Sequence, residues 1–76
     1  MKEKMLEGQA TVNQIGFITF LLSKYGIAKT VDDMVKVEGL AGIKFLGMTK
    51  QEASEFISKL KNDIRWGEWL ANEVNN

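Results

Sequence analysis

A chain of 76 residues with neither cysteine nor histidine must draw any chemistry from carboxylates, lysines, hydroxyls and aromatic rings. The missing cysteines remove disulfides and thiolate metal sites. The missing histidines remove the commonest transition-metal ligand and the usual general base near neutral pH. Asp32 and Asp33 are adjacent carboxylates, but consecutive helical positions diverge by about 100°, so they do not converge on one substrate as a catalytic dyad must. They suit the positive end of a helix instead. Gly39, Gly42 and Gly47 lack the spacing and the strand–turn–helix setting of a phosphate loop, and no EF-hand or nucleophile–base pattern occurs. The chain therefore reads as a non-enzyme that needs no cofactor and no metal.

Recognition is the chemistry left to consider. Trp66 and Trp69 each combine a large apolar area with one N–H donor, which suits a partner surface or a base-stacking platform. Three residues apart, they share one side of a helix. In so short a chain the competing use of both is to complete the core. Lys50, Lys61 and Arg65 offer a second possibility, contact with phosphates. Glu52, Glu55, Asp63 and Glu68 are interleaved with them, and ten basic residues balance ten acidic ones overall. That balance favours a mixed, solvated face over a nucleic-acid surface, leaving a weak nucleic-acid accessory as the alternative. Phe20 is the third candidate. It belongs to a segment carrying Ile15, Phe17, Ile18, Leu21, Leu22 and Tyr25, more apolar surface than one core-facing stripe holds. Phe20 points away from Ile15 and Leu22, so a protein partner or a second copy would explain it.

These side chains must be positioned by helices, and the sequence marks where the helices begin. Thr11-Val12-Asn13-Gln14 and Thr49-Lys50-Gln51-Glu52 both have the capping-box pattern, in which the threonine hydroxyl accepts from a backbone N–H and the fourth residue reaches back. The first predicts a helix over 12–25, closed by a left-handed cap at Gly26 with Lys24 complementing the dipole. The second opens an amphipathic helix with Ala53, Phe56, Ile57, Leu60 and Ile64 on one side, in which Glu55 and Lys59 form a favourable pair. Between them, Thr30-Val31-Asp32-Asp33 predicts a short helix stopped by Gly39. A hairpin over 35–45 competes with it, because Val35-Lys36-Val37 and Ile43-Lys44-Phe45 alternate. The apolar, glycine-punctuated residues 39–47 form an irregular or strand-like segment packed on the core. Asn62-Asp63 can cap a new helix, or the helix begun at Thr49 can run on through Arg65; a further helical segment over about 63–74 folds back with Trp66, Trp69, Leu70 and Val74.

The expected architecture is thus mainly all-α: a three- to four-helix single domain over 11–76, preceded by a frayed leader over 1–10 in which Met5 and Leu6 can dock on the core. The apolar fraction of 45% supports one core and argues against disorder. The N-terminus lacks the pattern of a signal peptide, and Ile15 to Leu22 is too short to cross a bilayer, so a cytoplasmic location without membrane attachment is expected.

Ala10-Thr11-Val12-Asn13-Gln14-Ile15-Gly16-Phe17, the stretch Leu21 to Gly26, and Met48-Thr49-Lys50-Gln51-Glu52-Ala53-Ser54-Glu55-Phe56-Ile57-Ser58-Lys59-Leu60 together resemble a small helical module of phages and mobile elements. Similar segments occur alone or appended to DNA-recombination and replication proteins, including single-strand-annealing recombinases. The likeness spans roughly residues 10–61 and implies no catalytic residues. It implies a genomic setting and a DNA-associated assembly.

Overall fold

Three threonines at three helix starts organise the chain. In the computed structural model, which describes residues 9–76, Thr11, Thr30 and Thr49 are all N-caps of complete capping boxes. Each hydroxyl accepts the N–H three residues on, at 3.0, 3.1 and 3.0 Å, and each N3 side chain returns to the cap N–H. The caps open α1 (Val12–Lys24), α2 (Val31–Ala41) and α3 (Lys50–Asn62). A fourth helix, α4 (Ile64–Asn75), starts at Asp63, whose carboxylate accepts from the Trp66 N–H at 3.0 Å. The fold is all-α, and the described residues contain no strand beyond one isolated bridge between Gln9 and Thr49.

The first two helices terminate at glycines, with two departures from expectation. Gly26 takes φ +72° after the C-cap residue Tyr25, so α1 closes one residue before the expected end. Gly39, expected to stop the second helix, lies inside it, and Gly42 (φ +71°) forms the left-handed cap. A helical glycine costs only about 1 kcal/mol relative to alanine. Two further residues of helix let Leu40 and Ala41 pack against the core. The Gly42 and Ile43 N–H groups then both donate to the Glu38 carbonyl. The hairpin over 35–45 does not form, since Val35 to Ala41 is helical. What remains of the 39–47 segment is irregular rather than strand-like: a turn tied down where the Glu38 carboxylate accepts the Phe45 N–H at 2.9 Å.

Packing joins α1 to α3, α3 to α4 and α2 to α4. The core takes Ile18, Leu21 and Leu22 from α1, Val37 from α2, Ala53, Phe56 and Leu60 from α3, and Leu70 and Val74 from α4. Ile27, Ala28 and Met48 contribute from the connections. No buried side-chain polar atom among the described residues lacks a hydrogen bond. Ala10 is held where its N–H donates to the Met48 carbonyl at 2.9 Å. Met5 and Leu6 lie outside the described residues. Two long-range polar contacts fix the last helix: Asn75 Nδ2 donates to the Gly26 carbonyl at 3.1 Å, and Lys36 Nζ to the Val74 carbonyl at 3.3 Å. No helix of the described residues is long and apolar enough to cross a membrane.

Candidate recognition surfaces

Where α2 ends, α3 and α4 converge on an open cleft of about 630 Å³. Leu40, Ala41 and Ile43 line one side, Phe56 and Trp66 the floor, and Glu52, Glu55, Lys59 and Trp69 the rest. The two tryptophans are both here, but they do different work. Trp66 is half-buried and sits edge-on to Phe56, with ring centroids 5.6 Å apart at 90°. Lys59 Nζ stands 4.7 Å over its other surface. That residue completes the core. Trp69, one turn on, is 43% exposed and contributes an aromatic wall that the fold does not cover.

The electrostatics of the cleft are mildly acidic. Glu52 is committed to its capping box, accepting the Thr49 N–H at 2.8 Å, and Glu55 accepts from the Gln51 amide at 3.2 Å. Lys59, expected to pair with Glu55, lies over the Trp66 ring, where the ring quadrupole attracts a cation and its aliphatic stem covers indole. Two carboxylates therefore face one ammonium that is engaged with an aromatic surface.

Phe20 is not among the residues lining this cleft. It is 56% exposed on α1 and stacks on Phe17, itself 39% exposed, at 6.2 Å and an interplanar angle of 20°. Lys24 Nζ lies 5.9 Å from the Phe20 centroid, and Lys61 Nζ, from α3, 5.9 Å from the Phe17 centroid. The three candidate phosphate contacts do not form one strip. Lys50 and Lys61 stand at opposite ends of α3, about 16 Å apart at 1.5 Å per residue. Arg65 belongs to α4, because the chain breaks helical geometry at Asp63 (φ −105°, ψ 86°). Lys61 and Arg65, four residues apart in sequence, therefore do not lie on one continuous helix. All three side chains are exposed.

Asp33 illustrates why the adjacent carboxylates serve the fold. Its oxygen accepts the N–H groups of Lys29 and Thr30 at 3.1 and 3.4 Å. Those bonds, the Lys29 one foremost, hold its pKa below the ordinary aspartate value. Among the described residues no cluster of three or more acidic side chains is placed to hold a metal ion.

Leu40, Ala41 and Ile43 were visible in the sequence only as apolar residues needing cover, and Glu55 and Phe56 as two sides of an amphipathic helix. Their meeting with Trp69 depends on how α2 and α4 pack, which local spacing does not encode. Comparison of the chain with family models, with curated proteins and with solved structures returned no match.

Proposed function

We infer that this chain is a non-enzymatic protein-interaction module whose docking surface is the cleft walled by Trp69. The observation carrying this reading is a large aromatic side chain left 43% exposed beside an apolar floor, in a domain with few large residues to spare. Aromatic anchors in pockets dominate the energetics of protein interfaces. The occupant is an amphipathic segment of another protein, with apolar side chains spaced to enter the cleft and Lys or Arg beside them to meet Glu52 and Glu55. The mobile-element setting enters this reading as a proposal resting on the likeness of residues 10–61 alone.

A displayed random-peptide library selected on the immobilised domain, and counter-selected on Trp69→Ala, tests it. Trp69 is 43% exposed, and a circular-dichroism melt of the variant verifies that it is folded at the temperature of the selection. Enrichment of basic amphipathic peptides that lose at least tenfold in affinity on the variant supports the cleft, since truncating an interface anchor typically removes 2 kcal/mol or more. No enrichment, or peptides indifferent to the substitution, overturns it. Self-association through the same cleft is the rival outcome, read by sedimentation velocity as a mass that rises with concentration for wild type and not for Trp69→Ala.

A further inference from the structure

The geometry points to a second binding surface, independent of the cleft: the Phe17–Phe20 pair flanked by Lys24 and Lys61 is a stacking platform for single-stranded nucleic acid. The rings are nearly parallel, 20° apart, with centroids at 6.2 Å, and both are exposed. An ammonium group lies over each ring, 5.9 Å from its centroid, so a base stacks by displacing a flexible lysine towards its own phosphate. Bases of an unpaired strand stack on exposed aromatic rings whatever their sequence, and flanking cations meet the phosphates between them. The two halves of that chemistry are side by side here, on two helices that pack together.

The surrounding charge favours an anionic occupant. Residues 9–31 contain no aspartate or glutamate and include Lys24 and Lys29, so α1 brings nothing that repels a phosphate. Glu68 is the one carboxylate lining the shallow cleft beside Lys61, which it shares with Tyr25 and Ile64. An acidic peptide would use the lysines and gain little from the rings, whereas a base uses both. The platform is distinct from the Lys50–Lys61–Arg65 strip: it shares Lys61 alone, and its affinity comes from rings as well as charge.

The experiment is fluorescence anisotropy with a labelled twelve-residue oligothymidylate, titrated at several salt concentrations against wild type, Phe20→Leu, the double variant Lys24→Gln/Lys61→Gln, and Lys36→Gln. Lys36→Gln is the control because it removes one positive charge from α2, away from the two rings; the Lys36 ammonium donates to the Val74 carbonyl, so a circular-dichroism melt verifies the fold of this variant. Phe20→Leu keeps an apolar side chain at an exposed position, and an unchanged circular-dichroism melt verifies its fold. Salt-dependent binding that weakens at least about fivefold in Phe20→Leu supports the proposal. So does a log–log salt slope shallower by about 1.4 in the double lysine variant, the loss of two single-strand phosphate contacts. Lys36→Gln should match wild type. Absence of binding at low salt overturns the proposal, as does binding unaffected by Phe20→Leu or equal binding to a duplex of the same length. Two parallel titrations complete the test: a polyglutamate peptide or anionic phospholipid vesicles binding in a Phe20-dependent way, while the oligonucleotide does not, would also overturn it.

Discussion

At the scale of single residues, the strongest relation between sequence and structure lies in three threonines. Thr11, Thr30 and Thr49 each satisfy a backbone donor that a helix start would leave open, and the residues three positions on complete the exchange. Thr49→Ala is expected to destabilise the domain by about 1 kcal/mol, lowering its melting midpoint by about 4–8 °C at this size, which calorimetry would show directly. Asp33 carries a pH dependence of known sign. Its folded pKa lies below the ordinary value of 3.8, chiefly through the Lys29 N–H. Its contribution is therefore present above that value and is lost as pH falls through the folded one. Melting curves taken from neutral pH down past about pH 4 should separate Asp33→Asn from wild type: the variant starts lower and loses less on acidification. Parallel losses in both proteins would contradict that role. These capping residues were legible because their chemistry is local.

At the scale of elements, most helix starts could be read and some ends could not. Gly26 caps α1 in the left-handed region as its position implied. The sequence marks Gly39 as the stop of the second helix, and packing moves that stop to Gly42. Extending α2 through Gly39 seats Leu40 and Ala41 against the core and leaves Gly42 to supply the positive φ. A helical glycine and a left-handed one, Gly67 and Gly42, should respond oppositely to alanine. At Gly67, in the middle of α4, an added Cβ meets nothing within 4 Å, so Gly67→Ala is expected to stabilise the domain by about 1 kcal/mol. At Gly42, equally open but at φ +71°, alanine is expected to cost about 1–2 kcal/mol. Urea denaturation of both variants checks the pair; a destabilising Gly67→Ala would mean that α4 needs a flexible point there. The apolar excess of α1 also resolves at this scale. Ile18, Leu21 and Leu22 face the core while Phe17 and Phe20 stay outside it. Their i, i+3 spacing, with Lys24 four residues beyond Phe20, was readable, whereas the approach of Lys61 from α3 was not.

At the scale of the whole molecule, the all-α class followed from helical periodicity and caps, but the recognition surfaces did not. The cleft draws on Leu40, Phe56 and Trp69, residues from three helices whose meeting is set by long-range packing. The sequence presented Trp66 and Trp69 as equals; the tertiary structure seats one against Phe56 and leaves the other partly in solvent. Phe20 and the tryptophans, each a candidate for binding a protein, belong to separate regions. Two surfaces of different chemistry carry the proposed function and the further inference, an aromatic cleft with an acidic rim and an aromatic pair with flanking lysines. On the proposed reading the cleft holds an amphipathic protein segment. The most direct test is a ¹⁵N-correlation NMR titration with the tightest peptide from the library selection. The expected result is perturbation concentrated at the Trp69 indole N–H and the backbone of Ile43 and Glu55, with the Phe17–Phe20 face unchanged. Shifts centred elsewhere, or none at saturating peptide, would contradict the claim.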